Sequence, residues 1–253
     1  MSGPVAEPLA NVNEEASRVA GAITQANVPL RLIGGGAIYL RCPSAREAAL
    51  RRAYADLDFV GLGERGMEFR RFFEALGYEP DSWFNKLHGR TRLLFWDKTN
   101  GRQADVFLDR MNMCHVLDFR GRLTIDPQTL SLADLLLTKL QIVEMNRKDL
   151  IDVVALLIDH SIGDGDGDEI NGAHIARLTA NDWGLYRTLT QNLGDLRRAA
   201  SEFRGLGGLP LESQLDALQA YIDGAPKSPA WRLRAVVGDR VRWYEMPEEV
   251  RRT

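Results

Sequence analysis

Hydrophobic positions in this chain follow two rhythms, and the change falls near residue 128. The first part opens with Val19, Ala20, Ile23 and Val28 spaced near 3.6, which predicts a helix over about 11–26. Leu30 to Ile33 reads as a short strand running into the glycines at 34–36. Gly36 to Arg41 then reads as the first turns of a helix that Pro43 and Ser44 break. Residues 44–53 form an Arg/Ala-rich connection into a strand carrying Asp56 and Asp58. Phe69, Phe72, Phe73 and Leu76 line one side of a helix over 65–76 that Gly77 closes. Strands over 91–96 and 103–108 flank Lys98-Thr99-Asn100-Gly101, a hairpin signal. A further strand is expected over 122–125, stopped by Asp126-Pro127.

From Ser131 onward the period is helical and stays so, predicting helices over 131–144, 147–160, 172–180, 182–203, 211–222 and 228–243. Ser131 followed by Asp134 is a capping-box arrangement with Asp in place of Glu. The pattern predicts an α+β fold. A mixed sheet flanked by helices occupies 1–128, and an all-helical part, 129–253, follows. No internal repeat of roughly 20–50 residues is visible.

Composition narrows the class. A chain of 253 residues, 45% hydrophobic and 26% charged, fits ordinary globular domains with real cores. No window approaches ~18 uninterrupted apolar residues, so no membrane partner is expected. Met1-Ser2-Gly3-Pro4 lacks a basic start and an apolar core, so no secretory signal is expected. Cys42 and Cys114 lie far apart without metal-type spacing, which suggests reduced thiols and a cytoplasmic location. A net charge of −3 argues against a protein that coats nucleic acid. Arg46, Arg51 and Arg52 before the Asp pair, and Arg65, Arg70 and Arg71 after it, keep a local RNA contact open, although a solvated helix face explains them as well.

The candidate chemistry starts at Asp56-Leu57-Asp58. On an extended strand residues i and i+2 share a side, so two carboxylates would aim at one spot. That costs stability unless a cation sits there, and Mg²⁺ carried with nucleotide phosphates fits paired hard oxygens best. The glycine run supplies bare N–H groups at a helix start, which favour phosphate. Asp105, on the second hairpin strand, can approach the same metals if the hairpin continues the sheet. Three carboxylates would then hold two ions, with Asp105 as base toward the attacking hydroxyl. Asp109 is the runner-up for that place.

Lys139 sits mid-stripe among Leu132, Leu135, Leu136, Leu140 and Val143, so it either snorkels or meets an anion such as a triphosphate. Its truncation to Ala should leave the fold intact. Spacing alone assigns Asp149 to the first turn of the next helix as a dipole-stabilising acid, and leaves Asp152 a surface acid. Asp164, Asp166 and Asp168 imitate a calcium loop, but Glu169 and Ile175 stand where Gly and Glu are needed, leaving an acidic loop. His88, His115, His160 and His174 show no zinc spacing. The glycine run is neither a Walker loop nor a dinucleotide fingerprint.

Leu32-Ile33-Gly34-Gly35-Gly36-Ala37, then Arg52-Ala53-Tyr54-Ala55-Asp56-Leu57-Asp58-Phe59, then Ala104-Asp105-Val106, resemble the signature of the nucleotidyltransferase superfamily of the DNA polymerase β type. More narrowly they resemble the abortive-infection nucleotidyltransferase toxins and their relatives. Leu135 to Leu140, followed by Arg147-Lys148-Asp149-Leu150-Ile151-Asp152, is similar to the family's lysine motif and Lys-Asp helix. Tyr54 stands where the relatives commonly carry Thr. The resemblance covers roughly 28–160. It implies a nucleotidyltransferase-type sheet whose helical part completes the nucleotide site, with Asp56, Asp58 and Asp105 as catalytic metal ligands. It also implies Gly35, Gly36, Arg52, Lys139, Asp149 and Asp152 as nucleotide contacts. The implied cofactor is Mg²⁺, two ions, with Mn²⁺ as substitute, and the implied substrate is an NTP. Its acceptor would be RNA, such as a tRNA 3′ end, in a toxin role with a cognate antitoxin. A small-molecule acceptor is the first alternative, and a nucleotide-binding or interaction module without transfer is the second.

Overall fold

The computed structural model describes residues 7–246, and the expectation for Met1 to Pro4 lies outside them. The chain is mixed α/β, with a five-stranded mixed sheet flanked by helices and further helices toward the C-terminus. In order, the elements of the first half are α1 (Val12–Ala26), β1 (Leu30–Ile33), α2 (Gly34–Arg41), β2 (Leu57–Gly61), α3 (Gly66–Ala75), β3 (Glu79–Pro80), α4 (Ser82–His88), β4 (Arg92–Asp97), β5 (Arg102–Leu108), β6 (Arg110–Asn112) and β7 (Val116–Asp118). The second half holds α5 (Leu132–Leu140), α6 (Arg147–Asp159), β8 (Ile162–Gly163), β9 (Ile170–Asn171), α7 (Gly172–Asn181), α8 (Trp183–Ala199), α9 (Leu211–Gly224) and α10 (Pro229–Val237). The described residues form two compact units, one of residues 7–42, 51–111 and 117–131, the other of 43–50, 112–116 and 132–246.

In the sheet unit the strand order is β1-β2-β5-β4-β3. Only β2 and β5 run parallel; the other neighbours are antiparallel. The hairpin Lys98–Gly101 joins β4 to β5 with Gly101 at φ +65°, a left-handed turn position suited to glycine. One face of the sheet carries Phe59 and Phe95 onto the α3 ring of Phe73, at centroid distances of 5.3 and 4.5 Å. Buried Glu15 of α1 joins this core because Tyr78 Oη, Arg18 and the Leu9 N–H all donate to its carboxylate. The outer edge of β1 is covered by residues 128–130, through Leu32 N–H to Gln128 O and Leu130 N–H to Leu32 O. Arg41, ending α2, pairs with Asp126 at 2.7 Å and so ties that helix to the same segment.

The helical unit is built on side-chain caps. Asn146, Asn171, Asp182 and Ser228 accept backbone N–H groups at the starts of α6, α7, α8 and α10, and Pro229 occupies the first turn of α10. Its core includes Leu135, Leu136, Leu140, Val153, Leu157, Leu189, Leu193, Leu215 and Leu218, all buried. The unit also contains one small parallel pair, β8 with β9.

Several expectations are corrected. Residues 122–125 form turns rather than a strand: Phe119 accepts from Arg122 N–H, and Arg122 Nη2 donates to Ser131 Oγ. The helix after β1 starts at Gly34, not Gly36, and α5 ends at Leu140, short of 144. The last helix ends at Val237, where Gly238 takes a positive φ. The short α4 had no periodic signal, because seven residues span too few turns to show one.

Candidate active site

Asp58 and Asp105 are register partners on the parallel pair β2–β5. Paired residues point to the same face, so the two carboxylates stand on one side of the sheet, opposite the Phe59 face. Asp56 lies just ahead of β2, and its charge acts on Asp105. Both Asp56 and Asp58 are half-buried, whereas Asp105 is buried.

The glycine run explains how a helix start reaches these acids. Gly34 has φ +62°, and a Cβ there would lie 2.5 Å from Asp58 Oδ2. Only glycine permits both that backbone and that approach. A Cβ on Gly35 would lie 2.2 Å from the Tyr54 ring and 2.6 Å from Arg52 Nη2. Arg52 stacks over Tyr54 at 4.2 Å, and Tyr39 meets that ring edge-on at 6.1 Å. A guanidinium and the positive end of α2 therefore converge beside Asp58, an arrangement suited to an anion. Gly36 faces elsewhere: its Cβ position meets Ala16 and Leu32 at 3.4 Å, the packing side of α2.

Arg92, which no motif singled out, holds Asp105. Its Nε donates to Oδ1 at 2.6 Å and its Nη2 to Oδ2. Burial pushes the Asp105 carboxyl above the usual carboxylate range, the Arg92 fork pulls it back, and the Asp56 charge adds to the rise; the net direction is up. Hairpin arithmetic could have found this arginine: Asp97 opposite Arg102 puts Leu94 opposite Asp105 and Arg92 opposite Phe107, two residues along the same face.

Hard carboxylate oxygens on one face beside a helix N-terminus suit a hard divalent cation. Among the described residues no three or more His, Cys, Asp or Glu side chains form a group that could hold a metal ion. Asp109 is corrected from runner-up base to turn clamp. It has φ +63°, and its Oδ1 accepts the Gly63 N–H at 3.0 Å.

In the helical unit Lys139, Asp149 and Asp152 come together. Lys139 Nζ lies 3.0 Å from Asp149 Oδ1 and 2.9 Å from Asp152 Oδ2. Burial would lower the ammonium, but the Asp152 and Asp149 charges outweigh it and hold its pKa above the usual lysine value. Asp152 is 1% exposed and so is no surface acid; the expectation from spacing fails because Lys139 supplies the partner that burial needs. His174 forms a separate pair, its Nε2 3.1 Å from the buried Asp134. Arg65, just before α3, pairs with Glu68, and Arg70 within it pairs with Glu74. No protein-family model matches the chain, and no curated protein matches it.

Proposed function

We propose that the protein is a Mg²⁺-dependent nucleotidyltransferase that moves a nucleoside monophosphate from an NTP to an acceptor hydroxyl or phosphate, with pyrophosphate leaving as the α–β phosphoanhydride bond breaks. The observation that carries the reading is the Asp58–Asp105 pair on adjacent strands, with Asp58 against the glycine start of α2. As they stand, Asp56, Asp58 and Asp105 do not form a metal-holding group, because Arg92 grips Asp105. On its release they would hold the two Mg²⁺ ions, or Mn²⁺ in their place, which when bound supply charge neutralisation and a more acidic acceptor hydroxyl. Arg52 and the N–H groups opening α2 bind and orient the phosphates. Asp105 is placed to act as base toward the hydroxyl once the Arg92 fork frees one of its oxygens. Tyr54, packed on Gly35, shields the phosphate seat from water. Lys139, whose ammonium Asp149 and Asp152 hold within the helical unit, serves stability there rather than the triphosphate. The acceptor is RNA, a tRNA 3′ end fitting the toxin-like resemblance, in a cytoplasmic role restrained by an antitoxin; a small-molecule acceptor is the alternative.

Incubation with labelled NTPs, Mg²⁺ and total RNA tests this. Label on RNA supports the RNA version, and label on a metabolite fraction alone removes it. A second reading, a nucleotide-binding module without transfer, is favoured by the guanidinium on Asp105. NTP binding that survives Asp58→Ala, with no wild-type transfer to any acceptor, would establish it.

A further inference from the structure

Both oxygens of Asp105 are engaged by one side chain. Arg92 reaches across from β4 as a planar fork, with Nε on Oδ1 and Nη2 on Oδ2. The Asp105 side chain is 10% exposed and that of Arg92 30%, so the pair is screened from water on the carboxylate side and open on the guanidinium side. Asp58, the register partner of Asp105, adds its field at the same guanidinium. The guanidinium of Arg92 also lies near two aromatic rings, Phe107 at 4.9 Å and Phe84 at 5.8 Å. Phe84 is held there by α4, which Asn85 locks to β4 through both polar atoms of its amide on the backbone of Leu94.

Paired acids on one sheet face repel each other unless a cation sits with them. Here that cation is part of the chain. A divalent ion taking Asp105 must compete for the oxygens the guanidinium holds, and the ring of Phe84 offers the displaced group a second cation–π seat. We infer that Arg92 is a built-in counter-ion that competes with divalent metal for Asp105, so that free metal binds weakly and productive loading needs a metal that arrives with an anion able to receive the released guanidinium. This rests on the transferase reading of the site. It assigns Arg92 a positioning role through competition with the metal, which the reading itself does not require.

The test uses Mn²⁺ alone as probe, its free concentration read by electron paramagnetic resonance. Proteins compared are wild type, Arg92→Gln, Arg92→Lys and the double variant Arg92→Gln/Asp105→Asn, each checked by thermal melting. Arg92→Gln should tighten Mn²⁺ binding by about tenfold or more, the size expected for a close, partly buried charge pair. Arg92→Lys keeps the charge but loses the fork, and should fall between wild type and Arg92→Gln; it carries the test if the glutamine variant does not fold. The double variant should lose the gain. Unchanged or weaker Mn²⁺ binding in both single variants, alongside wild-type transfer activity, overturns the inference and spares the reading. A gain that persists without the Asp105 carboxylate overturns it too. Absence of both Mn²⁺ binding and transfer in every protein removes the reading and the inference together.

Discussion

In the sheet unit one arginine holds Asp105 while Asp56 and Asp58 stand half-buried on the same side; in the helical unit one lysine lies between Asp149 and Asp152. Both clusters join carboxylates to a basic side chain, but their surroundings differ. Arg92 is 30% exposed and grips through a fork that can let go as a unit, and Asp58 lies against the Gly34 backbone. Lys139 is 14% exposed, and its buried partner Asp152 is 1% exposed, with helices α5 and α6 packed around them. A buried cluster whose charges satisfy one another holds structure, whereas one whose cation is partly accessible is suited to exchange.

The sharpest break of that contrast is Asp58→Asn. It should lower transfer by about a thousandfold or more, since metal-type charge stabilisation is worth several kcal/mol, while the chain still melts cooperatively as a folded protein. A parallel melt and label-transfer assay reads both, and a loss of fold with retained activity per folded molecule would reverse the assignment. Lys139→Ala should instead lower stability. Removing the cation leaves buried Asp152 beside Asp149, at a cost of about 3–5 kcal/mol, visible in denaturant melts of the helical unit. That revises the expectation that truncation would be tolerated, because burial makes the lysine's charge matter more than its volume.

Gly34→Ala should cost about 1–2 kcal/mol from the left-handed backbone alone. Its Cβ would also press on Asp58 Oδ2, so transfer should drop more than stability does, as paired kinetics and melting would reveal. The helical unit has a pH signature of its own. His115 is buried, its Nε2 2.8 Å from Thr188 Oγ1, and burial lowers its pKa despite the opposing charge of Asp182. A depressed folded value means its contribution is complete above the unfolded pKa of about 6.5 and is lost as pH falls through the folded value. Stability of the helical unit should therefore decline below about pH 6.5, and in His115→Gln that slope should flatten; NMR titration of the ring gives the folded value directly.

The smallest effect belongs to Asp118. Hydrogen bonds from Arg120, together with Arg110, hold its carboxyl down to about 2 against a modest burial penalty. The contribution is present above the unfolded pKa of about 3.9 and vanishes as pH falls through about 2. The side chain is 40% exposed, so solvent screening leaves less than about 0.5 kcal/mol for Asp118→Asn in acid melts.

Much of this layout was legible beforehand. The first helix, the strand before the glycines, the Asn100-Gly101 hairpin and the helices over 147–159 and 172–181 follow from local periodicity and turn chemistry. The candidate acids could be named for the same reason, since carboxylates within apolar runs stand out in one dimension. Arg92 emerges only when the hairpin register is counted out, because an arginine on an amphipathic strand looks like any solvated residue until that count puts it two positions from Asp105's partner. Asp152 was misjudged by the same limit: helical phase tells which way a side chain leaves its own helix, not what another helix brings to meet it.

By itself, then, the sequence determined the order and type of most elements, the place of the glycine turn and the identity of the acids, because these depend on interactions within a few residues. Tertiary structure decided that Asp58 and Asp105 share a face, that Asp58 lies on Gly34, that Arg92 holds Asp105 and that Lys139 lies between two acids. Each of those depends on strand pairing or helix packing between residues distant along the chain, where burial and charge select the partner.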